Sequence, residues 1–255
     1  MKHTIFFILT LLSINLTTSA QQFISKGTIE FEVITNVKKT MGNESYLEDL
    51  KATMPTFKTA YYNLTFANNK SIYKFDHYDE KKAKVLEFMR EGEDENNWYN
   101  DFTTGETVMQ KSNGGSLLNL KDSMRAINWK ITNESRLIAG FNCRKAIGVI
   151  LDSVYVFAFY TDEITVSSGP CSIHGLPGMI LGVTIPRLYV SMMATKLNVN
   201  NVNESSIKPA SVKKYYSTKE LNSILDKKVK DYSANREINE DFRNYMNQMI
   251  WGILL

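Results

Sequence analysis

The chain has 255 residues, 43% of them hydrophobic, with 30 Lys and Arg against 27 Asp and Glu for a formal charge of +3. So small an excess, spread along the chain, argues against nucleic-acid binding, which needs clustered basic groups. Two cysteines cannot make a multi-bridge scaffold, so a chain this long must be held mainly by a hydrophobic core.

Lys2 and His3, the apolar run 5–16 and Thr18-Ser19-Ala20 form the three parts of a cleavable secretory leader over residues 1–20. The apolar run is shorter than the roughly 20 residues that cross a bilayer, and no later stretch is long enough. The expected mature chain, residues 21–255, is one exported domain without a transmembrane segment: periplasmic, outer-membrane-associated or secreted.

Residues 28–35 alternate, with Ile29, Phe31 and Val33 opposite Glu30 and Glu32, as a half-buried strand does. Ser45 and Glu48 have capping-box spacing ahead of Leu50 and Met54, which predicts a short helix stopped by Pro55. Strands at 59–66 and 71–77 flank Asn68-Asn69, a turn pair, and the charged stretch 79–97 reads as a long solvated connection. Strands at 98–102 and 106–110 flank Thr103-Thr104-Gly105, and Asn113-Gly114-Gly115 breaks the pattern. Further strands fall at 129–131, 142–150 and 153–160, with a reversal at Asp152-Ser153, and then at 179–185 and 188–197. The run Tyr155-Val-Phe-Ala-Phe-Tyr160 predicts a strand buried on both faces. Ser217 and Glu220 repeat the capping box before a helix carrying Leu221, Ile224, Leu225, Val229 and Tyr232 on one face. A last helix places Ile238, Phe242, Tyr245, Met246, Met249 and Ile250 on one stripe. The fold class is therefore α+β: a large curved antiparallel sheet, or half-barrel, covered on its concave side by a short N-terminal helix and two C-terminal helices.

Gly169-Pro170 and Gly175-Leu176-Pro177-Gly178 bracket Cys171 and His174. Pro177-Gly178 predicts the centre of a type II turn, and these six residues are expected to shape the rim of a binding site without reacting. Cys143 and Cys171 are the one available pair, and in an oxidising compartment a disulfide closing a loop of about 28 residues would add roughly 3–4 kcal/mol. The alternative is a soft metal site, in which Cys171 and His174 join Cys143, Met179, Met192 and Met193. A hydrolase would need a Gly-x-Ser-x-Gly turn, which is absent, or a carboxylate pair, and nothing in the chain singles one out. The leading expectation is thus a non-enzymatic protein, without a cofactor, that binds an apolar ligand or an envelope protein in a cavity between sheet and helix.

Trp129-Lys130-Ile131, Ile138-Ala-Gly-Phe-Asn-Cys143-Arg-Lys-Ala146, Phe157-Ala-Phe-Tyr-Thr-Asp-Glu-Ile164, Gly169-Pro170 and Gly175-Leu-Pro-Gly-Met-Ile-Leu181 occur in order over about fifty residues. In this the chain resembles the GLPGLI family. The resemblance implies an exported Bacteroidetes protein and supplies no agreed activity. Phe159 stands where that family often has Trp, and the Cys171-Ser-Ile-His174 insert varies among its members. Strand order, terminal helices and leader also resemble the half-barrel of periplasmic lipoprotein carriers, which hold an acyl chain between sheet and helices, a likeness of fold alone.

Overall fold

The computed structural model describes residues 23–41, 48–87, 90, 92–113, 116–151, 153–233 and 240–255. The expected leader, Ser45, Asp152 and Ile238 lie outside them. Eleven strands form one antiparallel sheet: β1 (Gly27–Asn36), β2 (Phe57–Ala67), β3 (Lys70–Tyr78), β4 (Asn97–Asp101), β5 (Glu106–Asn113), β6 (Ser116–Ser123), β7 (Lys130–Ile138), β8 (Phe141–Ile150), β9 (Val154–Thr161), β10 (Met179–Ile185) and β11 (Val190–Asn198). Their order, β6-β5-β4-β3-β2-β1-β11-β10-β9-β8-β7, describes two meanders that meet where β1 pairs with β11, Thr28 opposite Asn198 and Thr35 opposite Val190. The sheet is open, with β6 and β7 as its edges. Helices are few: α1 (Val37–Thr40), α2 (Glu48–Thr53), α3 (Thr218–Ser233) and α4 (Glu240–Leu254). Among the described residues no helix is long and apolar enough to cross a membrane.

Local chemistry sets the hairpins. Asn68 and Asn69 both take positive φ, 52° and 57°, giving the two-residue turn whose twist matches its flanking strands. Between β4 and β5, Asp101 Oδ1 accepts from Thr103 N–H at 2.9 Å and Thr104 N–H at 3.3 Å, and Gly105 supplies φ +71°. Strand β6 extends the sheet beyond the Gly114-Gly115 break, an element that the sequence pattern did not separate.

Alternation sends Ile29, Phe31, Tyr62, Leu64, Tyr73, Trp98, Met109 and Leu120 to the inner face, where they are buried in the main core. Ala67, Ile72, Tyr99 and Val108 face the other way and are covered by Ile207 and Tyr215. The segment after β11 therefore crosses the outer face. It ends on edge strand β6, where Tyr216 N–H donates to Asn119 O at 2.8 Å and Lys121 N–H donates to Tyr216 O at 3.0 Å. Such pairing blunts an otherwise bare edge. Helix α3 then starts with the expected capping box: Glu220 N–H donates to Ser217 Oγ at 3.2 Å and Ser217 N–H to Glu220 Oε2 at 2.8 Å.

Helix cover is thinner than the apolar stripes imply. On α3 Leu221 is buried, yet Ile224 is 39% exposed, and α2 carries no buried residue. The end of α4 packs most closely, inserting Ile253 with Trp251 and Leu254 beside it. The strands buried on both faces are β4 and β10, not β9. On β9 Tyr155 is 58% exposed, and Phe157 and Phe159 lie beneath Lys145 and Arg136.

What replaces the helices as filling is the chain between β9 and β10. It folds back against the inner face as a plug, burying Ile164, Val166, Ser168, Cys171, Ile173 and Leu176. Ser168 Oγ meets Ser71 Oγ at 2.8 Å, while Ile24 N–H donates to Glu163 O at 2.8 Å and Thr165 N–H to Ile24 O at 3.1 Å. The expected type II turn is absent because its closing donor is used elsewhere. Met179 N–H donates to Ile164 O at 3.0 Å, and Gly178 N–H donates to Leu176 O at 2.8 Å, closing a three-residue turn about Pro177.

Gly178 has φ +129°, and a Cβ there would lie 2.0 Å from Thr161 O, so both conformation and space demand glycine. Gly105 has φ +71° with nothing within 4 Å of its would-be Cβ. Gly178→Ala is expected to cost about 3 kcal/mol or more and Gly105→Ala about 1–2 kcal/mol. Urea denaturation of the two variants checks this, and equal losses would contradict the close approach to Thr161.

Candidate functional site

Two cavities lie against the inner face, separated by the plug and the end of α4. The larger, about 580 Å³, is walled by Met109 and Leu120 from β5 and β6, Ile127 from the link between the meanders, Val149 from β8, Ile173 from the plug, and Leu254. Arg125, Ser172, His174 and Thr218 are among its polar groups, with Thr107, Ser123 and Asn128. The smaller, about 350 Å³, lies between the sheet and α4, with Val33, Tyr62, Tyr73, Trp98, Val190, Met192 and Ile253 as walls and Glu93, Asn96, Lys111 and Cys171 among its polar groups. Leu255 lines both. Its carbonyl accepts from Trp98 Nε1–H at 2.9 Å and Ser172 Oγ–H at 3.0 Å, so it ties β4, the plug and α4 into one partition.

The six turn residues do not form a rim. Gly169, Pro170, Leu176 and Gly178 are buried and only Gly175 and Pro177 reach the surface, so the motif is interior packing. A Cβ on Gly169 would meet Ile173 O at 2.8 Å, which shows how tightly the plug folds on itself.

The expected disulfide is not formed: Cys143 and Cys171 are both free and both buried. They have different surroundings. Cys143 sits on β8, where its Sγ–H donates to Phe141 O at 3.5 Å, and Cys171 occupies a positive-φ position, +56°, in the plug beside the smaller cavity. Burial pushes each thiol up to about 12, helped at Cys143 by the charge of Glu163 and opposed at Cys171 by that of Lys111.

Of the residues of the metal alternative, Cys171 and Met192 line the smaller cavity and His174 the larger. Among the described residues no three His, Cys, Asp or Glu side chains are grouped to hold a metal ion. His174 instead accepts at its carbonyl from Trp129 Nε1–H at 2.9 Å and sets its ring edge-on to Phe102, 6.1 Å between centroids, while burial holds its pKa below the usual imidazole value. Asp101 is the one buried Asp or Glu among the described residues, and it caps a turn.

Sequence reasoning missed Lys111, Arg125 and Leu255 as cavity residues. For Lys111 a signal was present: it follows Met109 by two residues on β5 and so shares its inward face. Arg125 and Leu255 reach their cavity by tertiary packing that no local pattern encodes.

Residues 149–182 match a family model described as a protein of unknown function (Porph_ging), a family associated with Bacteroidetes. That stretch holds the plug and contributes Val149, Ile173 and His174 to the larger cavity. No curated protein matches the chain. Among solved structures the fold is similar to that of PNGF-II, in a C2 crystal form with TM-score 0.50 and 12% identity over 78% of this chain and 32% of that one. A P21 form gives 0.49, 13%, 78% and 33% respectively. This chain thus spans about a third of the PNGF-II chains that it matches, at an identity that speaks for fold alone.

Two free buried thiols make a definite expectation. Native protein should show no fast-reacting thiol at pH 8, and unfolding without reductant should expose two, counted with a chromogenic thiol reagent; a disulfide would expose none. The raised thiols also carry a sign. Between the ordinary value of 9.0 and about 12 the unfolded chain releases protons that the folded chain keeps, so stability is full below pH 9.0 and falls as pH rises through that window. Urea midpoints taken across it should decline, and less steeply in Cys143→Ala.

Proposed function

We propose that this protein is an exported, non-enzymatic member of the GLPGLI type that binds an apolar ligand on the inner face of its sheet. Its place of work is the periplasm or the outer membrane. The observation that supports this reading is the larger cavity: about 580 Å³, apolar on most sides, and of the size that small-molecule sites occupy. Its walls belong to a rigid sheet and to the plug, so the space exists before a ligand arrives, which lowers the ordering cost of binding. The expected likeness to the half-barrel of lipoprotein carriers, a likeness of fold alone, favours a long apolar guest.

A second reading, an envelope-protein partner, rests on the outer aromatic row of β9. Tyr155, Phe157 and Phe159 share one face by alternation, with Tyr155 58% exposed. Such a row, edged by Arg136 and Lys145, has the aromatic and basic character of contact surfaces.

The uncharged probe N-phenyl-1-naphthylamine tests the first reading. Its fluorescence should rise on binding with a dissociation constant on the order of 10 µM. Ala126→Trp, on the exposed link that lines the larger cavity, should fill the space and weaken binding by about tenfold without unfolding the chain. No enhancement, or equal enhancement in both proteins, would overturn the reading.

A further inference from the structure

The smaller cavity holds a combination that the reading above leaves unused. Lys111 projects from β5 to the inner side, and its ammonium lies 5.4 Å from the centre of the Trp98 ring while donating to Gly252 O on α4. Among the described residues no carboxylate forms an ion pair with it. Glu93 lines the same cavity, yet its oxygens are taken by Lys58 and by Tyr78 Oη–H at 2.6 Å. Tyr73 stacks on Tyr62 at 4.9 Å and lies 5.6 Å from Trp98, ring to ring, so Lys111 and Tyr73 both flank one indole. Tyr73 is 2% exposed, and its hydroxyl has no hydrogen-bond partner among the described residues.

Both groups are incompletely satisfied. The ammonium holds one main-chain oxygen and an indole face, with Glu93 attracting it from beyond ion-pair distance, and a buried hydroxyl without a partner loses its hydrogen bonds to water. One anionic acceptor placed between them would correct both. The remaining walls, Val33, Val190, Met192 and Ile253, are apolar and would take a hydrocarbon chain. Neighbouring charge sets the valence of the head: Glu93 is on the same wall and would repel a dianion more than a monoanion. The buried Cys171 thiol stays protonated and adds no charge of its own.

We infer that the smaller cavity is a second ligand site, distinct from the larger one, that takes an aliphatic carboxylate with its head between Lys111 Nζ and Tyr73 Oη and its chain along Val190 and Met192. A charge-assisted hydrogen bond from Lys111 and a neutral one from Tyr73 then hold the head. The site discriminates an acid from the alcohol of the same length, because only the acid supplies the missing charge.

Calorimetric titration of the whole purified protein with decanoate and with decan-1-ol at pH 7.5 tests this. Decanoate is expected to bind about tenfold more tightly than decanol, and Lys111→Met to abolish the difference. Tyr73→Phe should weaken decanoate about threefold, leave decanol unchanged and leave the melting temperature no lower, since it removes a hydroxyl that has no partner. This second variant keeps the test open should Lys111→Met fail to fold. Equal affinity for acid and alcohol, or a preference that survives both substitutions, would overturn the inference. So would a preference lost in Ala126→Trp and kept in Lys111→Met, which would put the carboxylate in the larger cavity. The part of the naphthylamine signal that Ala126→Trp removes reads the larger cavity, because Ala126 lines that cavity and not the smaller one, so either site can fail without the other.

Discussion

An open sheet whose inner face is largely apolar must be covered, and here most of the cover comes from the chain's own excursion between β9 and β10. Ile164, Val166, Ile173 and Leu176 fill the inside, and the contact of Gly178 with the Thr161 carbonyl lets the excursion return to the sheet in register. Because the plug occupies the middle of the trough, the empty space left over is divided. Leu255, held by Trp98 and Ser172, completes the division, and the two cavities are the consequence.

Local features of the fold were legible in the sequence. The Asn68-Asn69 turn, the Thr103-Thr104-Gly105 reversal and the Ser217–Glu220 box depend on residues a few positions apart, and each forms where its chemistry places it. Strand alternation likewise sorted Ile29 and Phe31 from Glu30 and Glu32. Features that depend on distant neighbours were not legible. The Pro177-Gly178 turn changes type because Ile164 O captures the amide of Met179, and β9 is open on one face because no segment among the described residues returns over it. Strand β6 offers only Leu118 and Leu120 as an inward pair behind two glycines, too short an alternation to stand out.

The site shows the same division. The glycines and prolines of the plug read in the sequence as the margin of a site, whereas four of those six turn residues are buried in the interior. Cysteine count alone implied a bridge, but pairing needs proximity, and the sheet holds the two thiols among different neighbours. Of the groups best suited to meet a ligand, Lys111 carries a signal in its alternation with Met109, whereas Arg125 is one basic residue among 30 and only packing sets it apart.

The central pairing of β1 with β11 bears on the order in which the molecule can assemble. A chain made from its N-terminus can zip β1 through β6 by pairing each strand with the next in sequence, but the other edge of β1 stays naked until the strand ending at Asn198 has been produced. Closing so long a loop is slow, since its entropy must be lost before the ladder rewards it. The half-made molecule therefore exposes an adhesive strand at its centre, and a holdase would find its most useful grip there.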